Sequence, residues 1–283
     1  MKEHKPDWLK VKITVGQNFK RVRQIVRQNH LHTVCQEAHC PNQSECWERR
    51  AATFMILGDR CTRNCRFCAV QSEKPLPVDP EEPQNVARAV TLMGLKYCVI
   101  TSVTRDDLAD GGAAHWAATV RAVRAGNPEC LIELLIPDFR GDRESLRSVI
   151  DARPDVLGHN LETVPDLYPR VRPQADYAQS LRVLKHAGEM GALTKTGIMV
   201  GLGETKKQVM DLMRQALDNG CAIFTVGQYL QPTKAHLPVD RYVHPDEFAF
   251  YREYGEAAGF RKVIAGPLVR SSYHADDLAA LIS

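Results

Sequence analysis

Three cysteines stand within the stretch Cys61-Thr62-Arg63-Asn64-Cys65-Arg66-Phe67-Cys68, spaced C-x3-C-x2-C with an aromatic directly before the third. Thiolates this close on one loop suit three corners of a [4Fe–4S] cube, because cysteine is that cluster's usual ligand. The fourth iron is then left without a protein ligand. A purely structural site has no use for an open iron, so the arrangement points to a cluster that binds something. Zinc is the competing reading, since short C-x2-C pairs also occur in zinc sites, but structural zinc normally takes two such pairs and no second pair is present. A further group lies just upstream, where Cys35, Cys40 and Cys46 are spaced C-x4-C-x5-C, and Arg270-Ser271-Ser272-Tyr273 stands near the C-terminus.

The first triplet, with Phe67 in place, resembles the radical S-adenosylmethionine (SAM) superfamily. In that family the amine and carboxylate of SAM chelate the open iron, and an electron from the cluster cleaves SAM to a 5′-deoxyadenosyl radical, which removes hydrogen from an unactivated carbon. With the upstream triplet and the Arg270–Tyr273 segment added, the chain from about Lys10 to Ala275 is similar to the lipoyl synthases. The resemblance implies two [4Fe–4S] clusters and SAM as cofactors. Cys61, Cys65 and Cys68 would hold the SAM-cleaving cluster, and Cys35, Cys40, Cys46 and one serine a sacrificial auxiliary cluster. Serine oxygen is a harder, weaker ligand for iron than thiolate, and on chemistry alone the serines read as a cap or turn. The resemblance reverses that, and we take Ser272 rather than Ser271 as the ligand. The implied reaction inserts two sulfur atoms, at C6 and C8 of an octanoyl group on a carrier lysine. The implied partners are octanoylated lipoyl-carrier domains (2-oxoacid dehydrogenase E2 subunits or the glycine cleavage H protein), a flavodoxin or ferredoxin reductant, and an iron–sulfur carrier protein. The rivals are another radical SAM sulfur inserter, biotin-synthase-like or a methylthiotransferase, and an iron–sulfur electron-transfer or cluster-carrier protein. The paired triplets with the serine segment argue against the first, and a SAM-binding body against the second.

At 283 residues the chain suits one large α/β domain or two smaller ones. Its composition is that of an ordinary globular protein, and a net charge of +3 is too slight to argue for nucleic acid. No apolar run reaches the ~18–20 residues of a membrane span, and no signal-peptide core follows the N-terminus. An odd count of nine cysteines, clustered at ligand spacing, fits a reducing compartment better than disulfides. Cys98, Cys130 and Cys221 stand singly in apolar stretches and read as core. Residues 1–34 are basic (Lys2, Lys5, Lys10, Lys12, Lys20, Arg21, Arg23 and Arg27 against Glu3 and Asp7) but contain no serine. We read them as a mature bacterial arm rather than a transit peptide, hence a cytoplasmic protein. Their charge either docks an acidic partner or is a solvated face.

Beyond the upstream cysteines, strand-like and helix-like stretches alternate. Short apolar runs at Thr53–Gly58, Tyr97–Thr104, Leu131–Pro137, Val156–Glu162, Leu193–Gly201 and Ala222–Leu230 suit parallel strands covered on both faces. Helical patterns lie near 81–94, 115–127, 143–153, 174–191, 205–220 and 245–259, with Lys74–Pro83 a long loop. Six β-α units imply a parallel sheet with right-handed crossovers. The expected fold is therefore a partial, TIM-like (βα)6 barrel, as the resemblance also implies. It divides into an extension over 1–50 with the auxiliary-cluster cysteines, the barrel over 51–260 and a closing segment over 261–283.

In such barrels the reacting groups sit at the C-terminal ends of strands. Gly111 and Gly112, after the second strand, either let backbone approach the SAM amino group, as the resemblance suggests, or form an ordinary turn behind helix-capping aspartates. Glu133, inside an apolar strand, needs a hydroxyl, a cation or water, and SAM ribose is one such partner. Asn160 and Glu162 close the fourth strand, where Asn160 offers bonds to SAM or substrate, while His159 reads as structural. Gly197–Glu204 resembles the family's adenine-packing segment, with Met199 in its apolar slot. Lys195, Gln228 and Arg270 are expected to face substrate or to support the site.

Overall fold

The computed structural model describes residues 5–11, 13–273 and 275–282; Lys2, Glu3 and Lys12 of the basic arm lie outside them. One sheet organises the chain. Its strands are β1 (His32–Thr33), β2 (Thr53–Ile56), β3 (Tyr97–Ser102), β4 (Leu131–Leu135), β5 (Val156–Gly158), β6 (Thr194–Val200), β7 (Ile223–Gln228) and β8 (Lys262–Gly266), hydrogen-bonded in that order. β1 runs antiparallel to β2 and all later neighbours are parallel. β1 and β8 are not paired, so the barrel is open.

The six expected strands are present because each buries nearly every residue on both faces, as with Thr53–Ile56 and Ile223–Gln228. β8 was not expected. Its apolar run is only Val263–Ala265, of which Val263 alone is buried, and it is held by full register against β7. The fourth strand stops at Gly158 rather than Glu162, and Glu162 adds one isolated bridge to Ile198.

Helices α4 (Glu82–Met93), α5 (Ala113–Gly126), α6 (Arg143–Ile150), α7 (Tyr177–Glu189), α8 (Lys206–Asp218) and α9 (Pro245–Ala258) return the chain between strands, after α1 (Gln17–Gln28), α2 (Val34–Glu37) and α3 (Gln43–Glu48) in the extension. α8 opens on a capping box, Thr205 with Gln208, which satisfies two orphan backbone donors. α1 corrects the reading of a merely charged arm. Phe19, Val22, Ile25 and Val26 form an apolar stripe beneath its arginines, and Phe19 packs on Trp47 of α3 at 5.1 Å. The apolar core lies in two main bodies, one between β2–β4 and α1, α4, α5 and α6, the other between β6–β8 and α8 and α9. Among the described residues no helix is long and apolar enough to cross a membrane.

Candidate active site

A cavity of about 740 Å³ runs inside the barrel. It is lined by Thr104, Asp138 and His159, beyond the last residues of β3, β4 and β5, and also by Thr53 and Tyr97, the first residues of β2 and β3. It therefore extends from one end of the strands to the other. All six cysteines of the two triplets line it, and all six are free thiols.

Cys61, Cys65 and Cys68 lie on the loop between β2 and α4, at the C-terminal end of the sheet. The sulfur of Cys61 accepts hydrogen bonds from the backbone N–H of Arg63 (3.4 Å) and of Thr104 (3.3 Å). Arg63 anchors the loop: its guanidinium donates to Asp106 at 2.7 Å and to Asp138 at 2.7 and 2.8 Å. Burial alone works against its charge, but the bonds to Asp138 and Asp106 raise its pKa; the same contacts outweigh burial at Asp138 and hold that carboxyl ionised. Burial pushes the Cys68 thiol up to about 12 and raises Cys65, which Arg172 partly offsets through a hydrogen bond and its charge. Such thiols need a metal's charge to become ligands. Phe67 and Met199 pack with Leu202 and Tyr229 into an apolar wall beside the loop.

Cys35, Cys40 and Cys46 come from α2, the following turn and α3. Burial pushes Cys35 up to about 11 and Cys46 up to about 12, each with a neighbouring thiol adding to the effect. The segment carrying Arg270, Ser271 and Ser272 borders the same end of the cavity. Asn42 donates to the Leu268 carbonyl at 2.7 Å, and Tyr273 reaches Glu45 at 3.1 Å, so the C-terminal segment is stitched to the extension. Thr53 donates to the Ser272 hydroxyl at 2.7 Å, while its backbone N–H meets the sulfur of Cys35. The Ser271 hydroxyl instead accepts from Asn160 at 2.8 Å.

Among the described residues no three His, Cys, Asp or Glu converge as a single-ion site. A cube takes each thiolate on a different iron, and a triplet of thiols set around a cavity wall fits it.

The radical SAM superfamily model matches residues 55–216, and that for the N-terminal domain of lipoyl synthase of the radical SAM family matches residues 1–40. A lipoyl synthase of Rubrobacter xylanophilus is 54% identical over 96% of this chain and 86% of its own. One of Caldicellulosiruptor saccharolyticus is 51% identical over 100% of both. This chain belongs to the lipoyl synthase family. Among solved structures, HydG, a maturase of the [FeFe]-hydrogenase, matches with a TM-score of 0.61 at 16% identity, over 75% of this chain and 50% of that one, a likeness of fold alone. As in other lipoyl synthases and the radical SAM superfamily at large, a [4Fe–4S] cluster and SAM are the cofactors.

The remaining residues expected at a lipoyl synthase site divide. Asn160, Glu162, Met199, Gln228 and Arg270 line the cavity; Gly111, Gly112, Glu133 and Lys195 are not among its lining residues. Gly111 and Gly112, at φ 62° and 89°, form the turn into α5, and Asp110 caps that helix by accepting from Gly112 and Ala114. Both oxygens of Glu133 are taken, by the Tyr97 hydroxyl and the Lys195 ammonium, each at 2.7 Å. Its needed partners are thus protein groups rather than a ribose. Gln228 donates to three backbone carbonyls and accepts from the Val243 N–H, so its amide braces the loop after β7 instead of reaching toward substrate. Glu162, half-buried at the cavity wall, has its pKa raised by desolvation, against the nearby Arg172 charge. Sequence reasoning missed Arg63, Asp138, Arg172 and Thr53. Arg63 sits at a variable position of the motif, and the others signal nothing until the fold brings them to the cysteines.

Proposed function

We propose that this chain inserts two sulfur atoms, at C6 and C8, into an octanoyl group carried on a lysine of a lipoyl-carrier protein, taking them from an auxiliary [4Fe–4S] cluster. The observation that carries the reading is the arrangement of both cysteine triplets and the serine segment along one cavity. Cys61, Cys65 and Cys68 would hold the SAM-cleaving cluster, and Cys35, Cys40, Cys46 and Ser272 the auxiliary one, supplying a radical at one end and sulfur at the other. Arg63 holds the first loop rigid. Phe67 and Met199 offer an apolar wall to adenine, and Asn160 and Glu162 polar contacts to the rest of SAM. Arg270, whose charge lies beside Cys40, would counter the negative charge of the auxiliary thiolates. The enclosing barrel keeps water from a radical. E2 subunits or the H protein as carriers, a flavodoxin or ferredoxin as reductant, an iron–sulfur carrier protein to rebuild the cluster, a bacterial cytoplasmic setting and a three-part division at about residues 50 and 260 complete the reading, with β1 of the extension and β8 of the closing segment joining the barrel's sheet.

The test is iron and sulfide content after anaerobic reconstitution, for the wild type and a Cys35→Ala/Cys40→Ala/Cys46→Ala variant. About eight irons should fall to about four, with 5′-deoxyadenosine still formed and no sulfur inserted into an octanoyl-lysine peptide. A wild type holding only about four irons, or a variant that still inserts sulfur, sinks the two-cluster reading.

A further inference from the structure

We infer that Lys195, Glu133 and Tyr97 form a clamp inside the barrel that positions Ser272 as a cluster ligand; the inference rests on the ligand reading of Ser272 above. Residues 268–273 belong to no strand or helix. Among the described residues their backbone bonds are only the turn contacts Val269 N–H to Gly266, Tyr273 N–H to Arg270 and Ala275 N–H to Ser272, so side chains from elsewhere must hold them. Most of those side chains act at the edges of the segment or on its hydroxyls. Lys195 is different: its ammonium donates to the Ser271 carbonyl at 2.7 Å from 76 residues away. That carbonyl and the Ser272 N–H belong to one planar peptide unit. Fixing the carbonyl therefore fixes the plane from which Ser272 departs.

The rest of the clamp makes the cation affordable. Lys195 and Glu133 are 3% and 1% exposed, on β6 and β4, and the Tyr97 hydroxyl occupies the second carboxylate oxygen. A buried ion pair adds little net stability, because desolvation offsets its attraction. Its retention in an apolar interior suits a positioning task, and the ammonium's bond outward to Ser271 is what it positions. Every bond of the arrangement joins two protein groups, so the clamp needs no cluster to form.

Lys195→Met alone leaves Glu133 as an unpaired buried charge and risks misfolding. Lys195→Met/Glu133→Gln removes both charges together and is the variant to compare. In the metal-free full-length protein, amide exchange over 268–273 should rise about tenfold or more, the cost of one charge-assisted bond, while exchange in loop 61–68 and in β3–β7 stays as in the wild type. After reconstitution the auxiliary cluster should lose one iron as Fe2+, and one-electron oxidation of the remainder with ferricyanide should bring up the three-iron electron-spin signal, as is also expected of Ser272→Ala. Unchanged exchange over 268–273 overturns the clamp. Faster exchange with a fully retained four-iron auxiliary cluster overturns the clamp's positioning role if Ser272→Ala does lose an iron, and the ligand reading of Ser272 if it does not.

Discussion

Ser271 and Ser272 are chain neighbours whose hydroxyls face different partners. Ser271 is bound by Asn160, which also donates to Glu162 at 3.1 Å, on the side of loop 61–68. Ser272 is bound by Thr53, whose N–H meets Cys35, on the side of the upstream cysteines. An alkoxide at Ser272 would exchange its hydrogen bond for an iron, and its oxygen is a weaker hold than a fourth thiolate. Ser272→Ala should therefore lower reconstituted iron from about eight to about seven and reduce sulfur insertion about tenfold or more. Ser271→Ala should keep the full iron count. Ser272→Cys should keep it too, yet slow sulfur release, because the stronger ligand resists opening. Iron analysis and product yield on an octanoyl-lysine peptide separate the three, and equal behaviour of the two alanine variants would count against Ser272.

At the scale of elements, the loop of the first triplet depends on partners delivered by two other strand ends. Arg63 reaches Asp106 after β3 and Asp138 after β4, and Asp138 also accepts from Gln179 at 2.9 Å. Upstream, Leu57 sits at φ 68° with its N–H on Glu82 and its carbonyl on Arg105, so the turn out of β2 is braced as well. Arg63→Met strands Asp138, whose side chain is 1% exposed, and should destabilise the metal-free protein by about 3 kcal/mol. Adding Asp138→Asn should recover much of that loss, while 5′-deoxyadenosine formation stays impaired in both because the loop has lost its anchor. Denaturant unfolding and SAM turnover check the two halves separately; normal SAM turnover in Arg63→Met would remove Arg63 from the positioning role. The contrast with the strands explains what was legible. Runs such as Ile223–Gln228 announce a doubly covered strand because burial on both faces leaves continuous apolar residues. The cysteine spacings are just as local. Arg63 with Asp138 and Thr53 with Ser272 are joined across 75 and 219 residues, and no neighbouring residue encodes either pairing. β8 and α1 escaped for a related reason: β8's apolar run is only three residues long, the apolar residues of α1 are spread among arginines, and their places come from β7 and Trp47.

For the molecule as a whole, a barrel interior that carries cofactor-binding groups along its axis must keep them from destabilising the fold. Two of its buried cations are answered by a partner of opposite sign, Lys195 by Glu133 and Arg63 by Asp138, while Arg172 donates to the Asn160 and Leu161 carbonyls and the Tyr168 hydroxyl. His159 is treated otherwise. It is fully enclosed, its Nδ1–H is directed at the Ile136 carbonyl at 2.9 Å, and it lies near the Arg172 and Arg63 cations as well as Asp138. Burial first, then Arg172, lower its pKa from 6.5 to about 4. As pH falls, the unfolded chain takes up this proton before the folded one does. The stability contributed by neutral His159 is thus complete above about pH 6.5 and is lost as pH falls toward 4, a change of about 3 kcal/mol. Urea unfolding of the metal-free protein should show that loss, and His159→Gln, which does not titrate, should flatten the curve over the same window while costing some stability at neutral pH. A wild-type curve already flat between about pH 6.5 and 4.5 would mean that the interior admits the imidazolium, and with it enough water to solvate a charge beside Arg172.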